Sequence, residues 1–257
     1  MRAVRLHDTG LAVEEIEVPA VHEGEALIRV HAAAITRDEL TWPVDRLPAI
    51  PSYELSGVVA DVAPDVDDIE VGEEVFALTP FDRDGVAAEY AVVPAIVLAP
   101  RPMSLTHVES ATLPMTGLSA WQGIFEHGAL KEGERVRVLG ANGGVGHLAV
   151  QLLKGGQLAA DDEAPDLVFD TVGGGELTNA VGLGSRVVSI AEEADGVTYF
   201  VVEPNRAQLV ELGRRADAGE LTPAVDSVFS LEEAGAAFDR VAERGKQGKV
   251  VLRVGDD

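Results

Sequence analysis

From residue 135 to 154 the sequence reads RVRVLG, then ANGGVG, then HLAVQLLK. An apolar run of strand length gives way within a few residues to an apolar run with helical spacing. The glycines at 140, 143, 144 and 146 let the chain turn tightly, bring backbone close to a ligand, and pack helix against strand. The start of such a helix offers unsatisfied N–H groups and a positive dipole end, which suits a pyrophosphate. A tight strand–helix turn with no ligand is the plainer alternative. A Walker-type loop is excluded, because no Gly-Lys-Ser/Thr follows the turn. Gly117-Leu118-Ser119-Ala120-Trp121 lacks the closing glycine of a nucleophile elbow.

The rest of the composition narrows the function classes. With 257 residues, 46% of them hydrophobic, the chain can bury one large core or two modest ones. It has no Cys, so disulfides, thiolate zinc sites and cysteine nucleophiles are excluded. The 20 basic residues face 44 acidic ones, a net charge of −24, which repels nucleic acid and anionic membrane surfaces alike. Lys occurs only at positions 131, 154, 246 and 249, a bias that salt adaptation or a GC-rich genome would each produce. The opening MRAVRLHDTG has no apolar segment of the signal-peptide kind, and the greasiest stretch, YAVVPAIVLAP, is short and broken by Pro94. These features predict a soluble, cytoplasmic protein. The six His are scattered singly, no HExxH occurs, and DVAPDVDDIEVGEEV lacks EF-hand spacing, so it reads as a solvated loop.

The first hundred residues predict short strands in RAVRL, AVEEIEV, EALIRVHAAAI, LSGVVADVA, EEVFALT and AAEYAVVP, separated by Gly, Pro and Asp clusters. Thr106 and Glu109 have capping-box spacing, and Pro114 is expected to divide the helical stretch that follows. Beyond the glycine turn, LVFDTV, RVVSIA and TYFVVE read as buried parallel strands. Helices are expected at NRAQLVELGRRADAG and LEEAGAAFDRVAERG, and a last strand at KVVLRV. The fold class is therefore α/β plus β.

These segments together resemble the medium-chain dehydrogenase/reductase superfamily, in its zinc-independent NADPH:quinone oxidoreductase-like branch. The matching stretches are AIPSYELSGVVADVAPDV, VGEEVFALTPFDRDGVAAEYAVVP, ATLPMTGLSAWQGIF, VRVLGANGGVGHLAVQLLK, LVFDTVGG, RVVSIA and GKVVLRV, in family order. The resemblance implies a GroES-like β-barrel substrate domain over 1–112, an inserted, truncated Rossmann domain (a doubly wound parallel sheet) over 113–222, and a return to the GroES-like domain over 223–257. A cofactor cleft is implied where they meet. Zinc-dependent relatives hold catalytic metal through Cys, His and Glu. Here the corresponding regions read Ala34-Ile35-Thr36-Arg37-Asp38 and Tyr53-Glu54. One carboxylate does not hold zinc alone, so no zinc is expected.

The resemblance further implies hydride transfer from NADP(H), or NAD(H), to a quinone, enone or similar small carbonyl acceptor. Its pyrophosphate residues carry over to Asn142, Gly143, Gly144, Val145 and Gly146. Ser119 stands where the family has a Thr near the nicotinamide, though its hydroxyl could instead satisfy the helix backbone. Thr171, Val172, Gly173, Ser189, Phe200, Val201 and Val202 match nicotinamide-lining positions or serve as strand core. Trp42 and Tyr53 line the implied substrate pocket, with Tyr53 the candidate proton donor.

One departure bears on all of this. After HLAVQLLK the family continues through a second strand, a helix and a third strand, whereas this chain has only GGQLAADDEAPD before LVFD. A βαβ unit takes roughly 30 residues. The usual order 3-2-1-4-5-6 would become 1-4-5-6 with an exposed edge at the first strand, an edge a second subunit could cover to make a homodimer. Alternatively LVFD fills the second position, placing Asp170 where a ribose-binding carboxylate belongs. Lys154 is the sole basic residue near the expected 2′-phosphate site, against Asp161, Asp162, Glu163 and Asp166. A non-catalytic, truncated relative acting as a binding or assembly protein is the competing reading.

Overall fold

The computed structural model describes the chain except for residues 38, 43–46, 154–156, 161–162, 183–184, 244 and 256–257. Asp38, Lys154, Asp161 and Asp162 thus lie outside the described residues. The chain divides into two compact units: residues 1–114, 204–219 and 223–257, and residues 115–203 with 220–222.

The first unit is built on strands. β1 (Arg2–His7) and β2 (Gly10–Glu15) form an antiparallel hairpin. They are followed by β3 (Glu25–Ile35), β4 (Glu54–Val62), β5 (Glu74–Leu78), β6 (Tyr90–Pro94) and β7 (Ala99–Pro100). α1 (His107–Ala111) starts at Thr106 with the reciprocal capping box the sequence predicts: Thr106 Oγ1 accepts from Glu109 N–H, and Glu109 accepts from Thr106 N–H.

The chain returns to this unit with α5 (Arg206–Asp217), β12 (Val225–Ser230), α6 (Ala234–Ala242) and β13 (Lys249–Arg253). The large sheet has the order β12-β13-β3-β4-β5-β7, with β6 also on β3. β13 pairs antiparallel with the end of β3, Val250 opposite Ile35 and Arg253 opposite Ala32. The last strand therefore completes a sheet begun by the third. Ile28, Ile35, Leu55, Val250 and Leu252 form its fully buried core, and α6 closes it with Ala237, Phe238 and Val241.

The second unit contains α2 (Leu113–Trp121, reaching back two residues into the first), β8 (Val136–Leu139), α3 (Gly146–Leu152), β9 (Leu167–Asp170), α4 (Gly174–Val181), β10 (Arg186–Ser189) and β11 (Thr198–Tyr199). As expected, Pro114 lies at a helix boundary, since α1 ends before it and α2 begins beside it. The strands pair parallel in the order β11-β10-β9-β8. β9 is buried at every position, which is why LVFD is uniformly apolar up to its terminal Asp.

This order sets LVFD between β8 and β10, with Leu158 bridged to β8 on its other flank, an arrangement that fits LVFD as the fourth strand. The edge of β8 is also not bare. Val136 donates its N–H to Gln157 O (2.7 Å) and accepts from Ala159 N–H (2.9 Å), a one-residue parallel bridge to Leu158. A remnant of the second strand thus covers the start of that edge. Arg137 donates to Glu163 O (2.7 Å), and Arg135 and Asp166 exchange hydrogen bonds, so the connector is tied down as it crosses to β9.

Three further elements differ from expectation. TYFVVE is an edge, not a buried strand: β11 spans two residues, and Val201 is 59% exposed. α5, placed by the sequence boundaries in the nucleotide unit, belongs to the first. Asp217 accepts from Ser104 N–H (2.8 Å), Arg206 pairs with Asp68, and Gly213 lies against Pro102 and Phe76. β12 was not foreseen, because VDSVFS has no apolar run. Removing the buried ring of the central strand should be costly. Phe169→Ala is expected to lower unfolding stability by about 3–5 kcal/mol in urea denaturation.

Candidate functional site

In the second unit the ends of three parallel strands and the glycine turn lie together. Gly140 has φ of 79°, and a Cβ there would collide with Thr171 and Val172. At Gly146 a Cβ would strike Gly140 O, so this turn closes only around glycine. Gly143 donates to Gly140 O (2.9 Å) and His147 to Gly143 O (3.0 Å). Among the described residues the N–H groups of Gly144, Val145 and Gly146 have no partner. Asn142 is exposed beside them. Unsatisfied donors in a turn with no room for side chains are what a phosphate oxygen requires.

The strand ends beyond the turn are held by a buried carboxylate. Asp170 is fully buried and accepts from Ser189 Oγ (2.7 Å) and from the N–H groups of Val172 (3.1 Å) and Gly173 (3.0 Å). Ser189 Oγ in turn accepts from Ala191 N–H (3.0 Å) and Glu192 N–H (3.1 Å). Ser189 and Asp170 therefore fix the two loops at these strand ends, and neither side chain faces outward. Thr171 Oγ1 donates back to Leu139 O (2.8 Å), while Val172 is 53% exposed.

Ser119 is buried on α2. Phe200 is buried and stacks on His127 (centroids 4.2 Å apart), and Val202 is buried while Val201 faces solvent. The following residue is clamped by Gln122, whose amide donates to Glu203 O (2.8 Å) and accepts from Glu203 N–H (3.0 Å). Gln122 opens a π-helical turn over Gln122–His127, a register change at which functional sites often occur.

The first unit has its own cluster. Trp42 and Tyr53 stack at 6.0 Å, and Phe81 meets both edge-on, at 5.6 Å and 5.1 Å. Sequence reasoning named two of these rings and missed Phe81, which nothing in the local pattern marks. Tyr53 follows Ser52, a left-handed residue (φ 69°) whose hydroxyl donates to Ala34 O (2.9 Å).

Behind these rings lies a buried polar set. Glu39 accepts from Thr36 N–H (2.8 Å) and Ser52 N–H (3.0 Å). Burial pushes its carboxyl from 4.5 up to about 7, against those hydrogen bonds and the Lys249 charge. Lys249, at the start of β13, pairs with the fully buried Glu54 and donates to Thr36 Oγ1 (2.6 Å). Thr36 Oγ1 donates to Glu54 (3.3 Å).

Two family models match the chain: the alcohol dehydrogenase GroES-like domain over residues 22–103, and the zinc-binding dehydrogenase domain over 147–252. A chloroplastic quinone-oxidoreductase homologue from Spinacia oleracea is 30% identical, covering 84% of this chain and 72% of its own. The chain belongs to the medium-chain dehydrogenase/reductase superfamily, quinone oxidoreductase-like. The chloroplastic NADPH-dependent alkenal/one oxidoreductase of Arabidopsis thaliana is 28% identical, covering 92% of this chain and 74% of its own. That alignment runs over 292 positions against the 257 residues here, so the relative carries segments this chain lacks. Among solved structures, an alcohol dehydrogenase superfamily protein from Novosphingobium aromaticivorans is 26% identical with a TM-score of 0.85, covering 99% of each chain.

The residues of this quinone oxidoreductase-like protein do not fit the zinc that one matching model is named for. Glu54 is the single carboxylate carried over from the ligand set, and it is held by an ammonium and a hydroxyl. Among the described residues no three His, Asp or Glu converge on one point.

Two measurements probe the buried set. Lys249→Met leaves the Glu54 carboxylate without its cation and should cost about 3–5 kcal/mol in urea unfolding, most of it recovered by adding Glu54→Gln. Because the folded protein holds the Glu39 proton more tightly than the unfolded chain, stability should fall by about 3 kcal/mol as pH rises from 4.5 to 7. In Glu39→Gln, unfolding midpoints measured across that window should lose this slope, whatever constant offset the amide adds.

Proposed function

We propose that this protein is an NAD(P)H-dependent, zinc-independent oxidoreductase that reduces a quinone, enone or similar small carbonyl acceptor. The observation that carries this reading is the glycine turn, which closes only with glycine at 146 and leaves three N–H groups without a partner among the described residues. The named quinone and alkenal/one relatives supply the acceptor class. A bound nicotinamide would supply the hydride. In this reading Asn142, Gly143, Gly144, Val145 and Gly146 hold the pyrophosphate. Thr171, Val172, Gly173, Phe200, Val201 and Val202 line the nicotinamide side with Ser119, and Ser189 acts through Asp170 as a positioning residue.

In the first unit the Trp42, Tyr53 and Phe81 rings offer an apolar aromatic cluster against which a conjugated acceptor would pack. Tyr53 is the proposed proton donor, and Glu39 is a second group that holds a proton near neutrality. The proposal includes a homodimer and a cytoplasmic setting. β11, whose outer flank has no strand partner among the described residues, replaces the covered β8 edge as the face for a second subunit. No described helix is long and apolar enough to cross a membrane.

The test is to follow nicotinamide absorbance with a quinone and with an α,β-unsaturated ketone. Turnover is expected and should persist in EDTA. Tyr53→Phe should lower kcat by about 10²-fold or more with little change in KM, if its phenol delivers the proton. A folded protein that binds no nicotinamide would instead favour the non-catalytic binding or assembly role, to which the shortened nucleotide unit lends support.

A further inference from the structure

Glu39 is tied to the backbone beneath both stacked rings of the first unit. Its carbonyl accepts from Trp42 N–H (3.2 Å), which closes a short 3₁₀ turn over Glu39–Thr41. Its carboxylate reaches the other way. Oε1 accepts from the N–H of Ser52 (3.0 Å), the residue before Tyr53, and Oε2 accepts from Thr36 N–H (2.8 Å), just past the end of β3. Glu39 is only 5% exposed, so this carboxylate serves the backbone around it and is no surface group for an acceptor to meet.

Ser52 is the reason this hold matters. Its φ of 69° is a left-handed conformation that side chains disfavour, so the surroundings must impose it. Each of its polar groups is engaged. The N–H donates to Glu39, the hydroxyl donates to Ala34 O (2.9 Å), and the carbonyl accepts from Val86 N–H (2.8 Å). Gly85 packs so close that a Cβ there would come within 2.1 Å of Ser52 O. Tyr53 follows directly, its carbonyl accepting from Thr79 N–H (2.8 Å), and its ring is set against Trp42 and Phe81. Of the holds named here, only the one from Glu39 also reaches Trp42. The span is matched to a glutamate. Aspartate is one C–C bond shorter, about 1.5 Å. A 3.0 Å hydrogen bond lengthened by even half of that is no longer one. Glutamine keeps the reach and one acceptor oxygen for Ser52.

We propose that Glu39 is the positioning residue of the acceptor site: by holding the Trp42 and Ser52 backbones together it fixes the Tyr53 phenol against Trp42, and so sets how a planar conjugated acceptor is seated. This deepens the oxidoreductase reading and rests on it. The role given to Glu39 is reach, not delivery of a proton. Misplacing a reacting group by about 1 Å costs about 10²-fold in rate, so the length of this side chain matters more than its charge.

The experiment compares Glu39→Gln, Glu39→Asp and Glu39→Met in the full chain. The first keeps reach and an acceptor, the second keeps charge without reach, and the third keeps bulk with no hydrogen-bonding oxygen. Near-UV circular dichroism is read first, with the Trp42→Phe spectrum subtracted to separate Trp42 from Trp121. The Trp42 band is expected to survive in Glu39→Gln and to be lost in Glu39→Asp and Glu39→Met. Turnover is then followed with a quinone and with an α,β-unsaturated ketone, below each variant's unfolding midpoint. In Glu39→Asp and Glu39→Met, kcat/KM for the acceptor should fall about tenfold or more, against less than about threefold in Glu39→Gln. KM for the nicotinamide should move less than about twofold in all three. Should Glu39→Asp not fold, Glu39→Met carries the same expectation. Full activity, or an intact Trp42 band, in Glu39→Asp or Glu39→Met would overturn the inference. So would a loss in Glu39→Gln as large as in Glu39→Asp, which would make the charge or the proton the working part. Each of these leaves the oxidoreductase reading standing. A folded, unaltered chain that turns over neither acceptor fails the oxidoreductase reading, and the inference with it.

Discussion

The buried pair of Lys249 and Glu54 joins segments nearly two hundred residues apart in the chain. Glu54 opens β4 and Lys249 opens β13, and both strands pair with β3. A fully buried carboxylate is tolerable only with a cation and further donors at hand, which Lys249 and Thr36 supply. This pairing requires the end of the chain to come home to the first unit. Everything between α2 and Glu203 must then leave that unit and return as an insertion, with α5 packing against the barrel on the way back. Within this cluster the Lys249 ammonium supplies the charge balance that the buried Glu54 carboxylate needs.

The inserted unit depends on a different economy. Deleting most of a second and third strand threatens a parallel sheet with an open edge beside its most important turn. Arg135, just before β8, and Arg137 on it answer this locally by holding the connector through backbone carbonyls and the Glu163 and Asp166 carboxylates. Among the described residues, the start of β8 gains a backbone partner on this flank and its end does not. β8 is held from its other side, where β9 pairs along its whole length and Asp170 pins two loops.

Most strands were legible from composition and period. EALIRVHAAAI matches β3 to the residue, and RVRVLG, LVFDTV and RVVSIA each deliver a parallel strand. LVFD and VVS are readable because burial at successive positions forces continuous apolar sequence, while β8 keeps Arg137 and is only partly buried. β12 and β11 were misread for the complementary reason. VDSVFS is polar yet pairs with β13 because its neighbour supplies the hydrogen bonds, and TYFVVE is apolar yet lies mostly outside the sheet. The aromatic pair of Trp42 and Tyr53 was visible through the family resemblance, but Phe81, Glu39 and Lys249 join them only through tertiary contact.

The sequence by itself determined the glycine turn, since no residue with a Cβ fits at 146, and with it the strand–turn–helix that a pyrophosphate would occupy. It also determined that the chain has no thiolate for metal. Tertiary structure decided where the shortened connector goes, because one hydrogen-bonded bridge at Val136 and two arginines select its path, and neither carries a local signal. It likewise decided that Asp170 and Ser189 bond to each other instead of facing a ligand. Steric limits act within a few residues and are written in the chain. Hydrogen-bond partners are chosen across the fold, and only the folded protein names them.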